Sequence, residues 1–145
     1  MKKTDELIIV EEIYNAPIGD LWNALTDINL MRQWYFNNIP DFKPVAGFET
    51  EFLVKSEERN FKHHWKVLEA EKNKIIKYSW DFEGYKGKST SSFEISRTDQ
   101  GTKLKIVVEV LEDYPDDIPE FKRESCIAGW EYLLKEKLKD YFQKK

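Results

Sequence analysis

The sequence predicts an α+β fold: a strongly curved antiparallel sheet wrapped around one long C-terminal helix, with two short helices after the first strand. Three observations predict it. Five consecutive segments between residues 47 and 110 alternate apolar and polar residues with period 2, as strands do when they bury one face. The links between them, "SEERN", "EKNK", "EGYKGK" and "TDQG", are hairpin-sized and rich in turn residues, so successive strands pair as an antiparallel meander. The chain closes with an apolar stripe at helical spacing, Cys126, Trp130, Leu133, Leu134, Leu138 and Tyr141. That helix is the one element available to cover most of the sheet's apolar face.

Each element follows in order. Residues 7–14, "LIIVEEIY", are β-branched and apolar and read as a strand. Asn15 or Ala16 caps the next helix, with Pro17 in its first turn, where a missing N–H costs nothing. Ile18, Leu21, Trp22 and Leu25 give it one apolar side, and Asp27 caps a second short helix whose apolar side is Leu30, Met31 and Trp34. Residues 47–55 align Phe48, Thr50, Phe52 and Val54; residues 61–68 align Phe61, His63, Trp65 and Val67. Residues 75–82 align Ile76, Tyr78, Trp80 and Phe82, residues 89–97 align Ser91, Phe93, Ile95 and Arg97, and residues 102–110 align Leu104, Ile106, Val108 and Val110. "YPDDIPE" reads as a stiff linker in which Asp116 or Asp117 caps the last helix and Pro119 sits in its first turn; a gate over a cavity mouth is the functional alternative. Lysines crowd the last turns, where they favour the negative end of the helix dipole.

The 145 residues fit a single domain over 1–145. One cysteine, Cys126, cannot form an internal disulfide, which suits a reducing compartment. No apolar run approaches a signal peptide or a membrane span, so a cytoplasmic protein is expected. Net charge is −4, with Lys and Arg scattered among Asp and Glu rather than gathered in a stripe. A phosphate backbone is repelled on average, so no nucleic-acid partner is expected. Aromatic residues make up 14% of the chain, which makes the direction of those rings the informative question.

Several stretches resemble the START-like (SRPBCC) superfamily with the helix-grip fold, which includes the major birch pollen allergen, polyketide cyclases and lipid-transfer domains. They are "NAPIGDLWNALTDINLMRQWY", "DFKPVAGFETEF", "KVLEAEKNKIIKYSWDF", "GTKLKIVVEV" and "GWEYLLKEKLKDYF". Within the superfamily the chain is similar to the family named for the activator of heat-shock chaperone ATPase, in its single-domain C-terminal type. The Pro-led helix with Trp22, the Leu-Thr-Asp run and Trp34 are the most specific match, and Gly129-Trp130 before a Leu-rich helix the next. Ala46-Gly47 stands where the family usually shows a pair of glycines.

The resemblance implies a pocket enclosed by the concave sheet face and the long helix, with the short helices sealing one end. Alternation then supplies its wall. Phe52, Trp65, Tyr78, Trp80 and Phe93 form the floor, Trp130 the helix wall and Trp34 the rim, and His63 is the polar contact that orients a ligand. The expected partner is a small hydrophobic or amphipathic molecule. A chaperone bound through the outer surface is the rival, a cyclase-like enzyme a third reading, and both a monomer and a homodimer fit. No cofactor is expected. His63 and His64 point to opposite faces of one strand and cannot readily share a metal ion, so no metal is expected. Glu69 lies roughly 20 Å along the strand from His63, too far to orient it as a base. Cys126, in mid-helix on the apolar stripe, reads as a small buried hydrophobe. No catalytic constellation is visible, and a binding role is favoured over an enzymatic one.

Overall fold

A computed structural model describes residues 1–144 of the chain. The elements run β1 (Ile8–Tyr14), α1 (Ile18–Thr26), α2 (Ile28–Trp34), β2 (Glu49–Ser56), β3 (Arg59–Glu71), β4 (Ile75–Phe82), β5 (Lys88–Thr98) and β6 (Gly101–Glu112). A 3-10 turn (Pro119–Phe121) precedes α3 (Arg123–Tyr132), which continues through a π-helical turn (Leu133–Lys137) into α4 (Leu138–Gln143). The sheet order is β1-β6-β5-β4-β3-β2 and every pair is antiparallel. This is the predicted α+β architecture, a meander from β2 to β6 with β1 added beside β6.

Alternation fixes which face is buried. Ile8 and Val10 of β1, Leu104, Ile106 and Val108 of β6, and Phe93 and Ile95 of β5 are buried in one core with side chains of the C-terminal helix and of α1. Leu134 and Leu138 return the contact from the helix and are fully buried. Each such side chain contributes about 1.5–3 kcal/mol on leaving water. Tyr14 fixes the helix to β1 by a polar contact as well: its hydroxyl donates to the Leu134 carbonyl at 2.7 Å, within the π-helical turn. A side chain bonded to a helical carbonyl is a recognised companion of a break in the i→i+4 ladder.

Four local expectations are corrected. Neither Asn15 nor Ala16 caps α1. Pro17 occupies that position without a side-chain cap, because the Ala16 carbonyl is taken by the Thr102 hydroxyl and its amide by the Tyr14 carbonyl. Asp116 and Asp117 do not cap the last helix. Pro119 belongs to the separate 3-10 turn, Phe121 is buried, and the chain is extended at Lys122 before Arg123 opens α3. The segment between β6 and the helix is thus held by the buried Tyr114 and Phe121 rings and by hydrogen bonds to Met1, Lys3, Ser56 and Arg59, not by a helix cap. β3 runs three residues beyond its predicted end, because a bulge between Val67 and Glu69 resets its register on β4. Leu30 is only partly buried, so Met31 and Trp34 form the buried side of α2. Asp27 does cap α2, accepting from the Asn29 and Leu30 amides.

Candidate functional site

The concave face carries two aromatic groups. In the larger one Tyr35, at the end of α2, lies against Trp34, Trp65, Trp80, Phe93 and Trp130. Its hydroxyl shares a 2.9 Å hydrogen bond with that of Tyr78. Burial raises both phenol pKa values, so the pair is neutral and each oxygen is satisfied. The smaller group joins Phe61, Tyr114 and Phe121, with Phe82 and Tyr85 packed on it.

A cavity of about 190 Å³ lies where the two groups meet. Its origin is legible in β5. The inward positions near the start of that strand are Ser89 and Ser91, and bulk returns only at Phe93 and Ile95. Small side chains opposite Trp130 leave the space unfilled. A register shift between Lys88 and Ser89 turns the strand at that end. Trp80 and Phe36 form one wall, Trp130 and Leu133 the helix side, and Tyr114 and Phe121 the third side. Gly87 permits the last wall: a Cβ there would meet the Tyr114 ring at 2.3 Å, and its φ of +113° is left-handed. Ser125 and Gly129 line the cavity and are exposed, so they mark its solvent side.

Most polar groups around the cavity already have partners. The Tyr114 hydroxyl lies 3.0 Å from both the Trp80 carbonyl and Ser89 Oγ. Ser125 Oγ donates to the Pro119 carbonyl, and the Met1 ammonium to the Phe121 carbonyl at 2.9 Å. Glu120 accepts from the Ser56 hydroxyl at 2.7 Å and from Arg59 at 3.2 Å. The Ser56 hydrogen bond, with Arg59 behind it, holds its carboxyl below the usual range. Burial pushes the Cys126 thiol up to about 11, so it is protonated at neutral pH and a weak nucleophile. The Ser91 hydroxyl has no hydrogen-bond partner among the described residues, though the residue is only 2% exposed.

The structure brings two of the eight sequence-predicted site residues, Trp80 and Trp130, to the cavity. The other six are in packed interior. Trp34, 1% exposed, donates its indole N–H to the Ala24 carbonyl and ties α2 to α1 instead of forming a rim. Phe52, Trp65, Tyr78 and Phe93 are buried against other rings. His63 donates from Nδ1 to the Phe61 carbonyl at 3.1 Å and lies among Phe36, Phe52, Trp80 and Phe82. Burial lowers its pKa to about 4 despite that hydrogen bond. Cys126 is not sealed in the core but faces the cavity, partly exposed. Sequence reasoning passed over Phe36, Tyr114, Phe121 and Ser91. Ser91 was visible as an inward position on its strand, and Tyr114 opens the stretch considered as a gate while Phe121 directly follows it. Among the described residues no group of three or more His, Cys, Asp or Glu side chains is arranged to hold a metal ion, and no helix is long and apolar enough to cross a membrane.

Residues 15–143 match the model of the family described as Activator of Hsp90 ATPase homolog 1-like protein. No curated protein matches the sequence. Among solved structures, protein MLL2253 from Mesorhizobium loti is 25% identical, with a TM-score of 0.76 over 97% of this chain and 98% of its own. The Aha1 dimer from Colwellia psychrerythraea is 19% identical, with a TM-score of 0.72 over 95% and 96% of the two chains. DynU16, a protein in the dynemicin biosynthetic locus, is 19% identical, with a TM-score of 0.74 over 96% of this chain and 48% of its own. At 19% identity the likeness is one of fold.

Proposed function

The chain belongs to the Activator of Hsp90 ATPase homolog 1-like family, and on that premise we propose that it binds a small hydrophobic or amphipathic molecule between the sheet and the C-terminal helix, in the cytoplasm. The carrying observation is the cavity of about 190 Å³ walled by Trp80, Trp130, Tyr114 and Phe121, with one solvent-facing side. Concave sites with aromatic walls and a few polar groups are the usual form of small-molecule sites. The protonated thiol, with no base paired to it among the described residues, favours binding over catalysis. The test is calorimetric titration with a panel of small amphiphiles: 2-naphthol, decanoate and octanol. At least one is expected to saturate at one per chain and to perturb tryptophan emission. Ser91→Leu, which fills the space, is expected to abolish that binding while the protein still melts cooperatively. Absence of saturable binding by every member would contradict the proposal.

The family description favours a second reading, a module that stimulates a chaperone's ATPase. The outward lysines are its natural contacts. Lys62 is paired with Glu51 and Glu83, and Lys103 with Glu11, whereas no ion pair engages Lys66, Lys77 or Lys105 among the described residues. Under this reading Lys66→Glu and Lys105→Glu weaken stimulation of an Hsp90-type ATPase, since rim charges govern encounter, and Ser91→Leu leaves it unchanged.

A further inference from the structure

We propose that the cavity selects a neutral, planar molecule of one or two fused rings carrying a single polar substituent that hydrogen-bonds the Ser91 hydroxyl. This rests on the cavity being a binding site, and it names what that site takes.

Size sets the upper limit. An enclosed apolar cavity of about 150 Å³ accommodates one benzene. At about 190 Å³, with one side open to solvent, this one buries a single ring with a substituent or two fused rings, and anything larger extends into water. The walls set the shape. The Trp80 and Trp130 rings meet edge to face at 5.8 Å, and Phe82 and Phe121 stack at 5.1 Å on the other side. Such surfaces offer ring faces and edges at the offsets that aromatic partners prefer.

Polar bookkeeping sets the rest. The two charged groups at the cavity are both engaged, Glu120 by Ser56 and Arg59 and the Met1 ammonium by the Phe121 carbonyl. Burial holds the Cys126 thiol and the Tyr114 phenol in their neutral forms, and the same desolvation acts against a carboxylate ligand. Ser89, Tyr114 and Ser125 bond within the protein. Ser91, on the inward face of β5 and paired across to Val108 and Tyr78, carries the cavity-lining hydroxyl that has no protein partner among the described residues. A hydroxyl both donates and accepts, so a phenol, an aryl amine or a ring N–H each satisfies it.

The experiment is calorimetry at pH 7 with 2-naphthol, naphthalene, 2-naphthoate and decanoate on the wild type, Ser91→Ala and Ser91→Cys. The expected result is 1:1 binding of 2-naphthol. Ser91→Ala weakens it about three- to tenfold, the loss of one neutral hydrogen bond, and leaves naphthalene within about twofold. 2-Naphthoate binds at least about tenfold more weakly than 2-naphthol. Ser91→Cys, closer in volume, weakens 2-naphthol in the same direction and supplies the readout if the alanine variant does not fold. Equal effects of Ser91→Ala on 2-naphthol and naphthalene would overturn the proposal, as would no effect on either. So would 2-naphthoate or decanoate binding as tightly as 2-naphthol, an outcome that leaves a binding function intact. If none of the probes binds, the binding reading falls with it.

Discussion

His63 and His64 are adjacent in β3, yet the pleat sends them into opposite environments with opposite linkage to pH. His63 is buried among rings, and burial, against the Phe61 hydrogen bond, takes its pKa to about 4. In the unfolded chain a histidine titrates near 6.5, so between roughly pH 6.5 and 4 the unfolded state binds the extra proton. Its contribution is present above that window and is lost as pH falls through it, by on the order of 3 kcal/mol at full loss. His64 lies on the outer face, with Nδ1 3.0 Å from Asp81 and Nε2 2.8 Å from Glu49. Partial burial lowers its pKa, but the hydrogen bonds to Glu49 and Asp81 outweigh this and raise it. Its contribution is therefore fully present below the unfolded value and is lost as pH rises through the folded one. Urea unfolding at pH 7.5 and 4.5 separates the two: His63→Phe is expected to shrink the wild type's loss of stability on acidification, and His64→Gln to enlarge it. Identical pH profiles for both variants would contradict the assignment. Trp65, 1% exposed and in contact with Tyr35, Phe52, Tyr78 and Trp80, tests whether this region is filled. Trp65→Ala is expected to cost about 3–5 kcal/mol in urea unfolding; a cost near 1 kcal/mol would mean an open site there. The sequence made the inward direction of His63 and Trp65 legible through parity. It did not make their lack of free space legible, because that depends on Tyr35 and Phe36, which leave α2 outside any periodic pattern.

At the scale of elements, the C-terminal helix shows most clearly where pattern and packing diverge. Its stripe predicts one regular helix, and Leu134, Leu138 and Tyr141 are buried as that stripe requires. Leu133 is only partly buried and faces the cavity, and the turn from Leu133 to Lys137 is π-helical. Hydrophobic spacing gives no signal for such a turn, since the Tyr14 hydroxyl that bonds within it comes from β1, 120 residues away in sequence. Gly129 is the other irregular feature. It lies inside α3, exposed at the cavity's solvent side, and a Cβ there meets no atom within 4 Å. A glycine inside a helix costs about 1 kcal/mol relative to alanine, so Gly129→Ala is expected to raise the unfolding free energy by that increment, seen as a higher urea midpoint. Gly129→Trp, placing an indole at the mouth, is expected to slow association of a cavity ligand while stability is kept. A fall in stability for Gly129→Ala would show that the position is constrained by something other than access. The linker before the helix was legible as a stiff segment in "YPDDIPE", but its role as a cavity wall rests on Phe121 returning to Phe61 and Tyr114, a long-range contact that local residue chemistry does not encode.

For the whole molecule, the meander and the helix it grips were legible because period 2 and period 3.6 are strong signals; that β1 joins the free edge of β6 and not that of β2 was not legible. The question alternation leaves open is whether the concave face is full or hollow, since both outcomes need the same inward residues. The answer divides the molecule. The part around Trp65, Tyr78, Phe93 and Tyr35 is filled by rings, and the part beside Ser89 and Ser91 is not. The central claim is that this second part takes a ligand. The most direct measurement is a crystal of the protein soaked with 4-bromophenol, using anomalous scattering to locate the bromine. The account predicts one peak within the cavity, against the wall that the Trp80 and Trp130 rings form, with the phenol oxygen about 2.7–2.8 Å from Ser91 Oγ. A cavity without bromine, its space taken by a rotated Trp130 side chain, would contradict it.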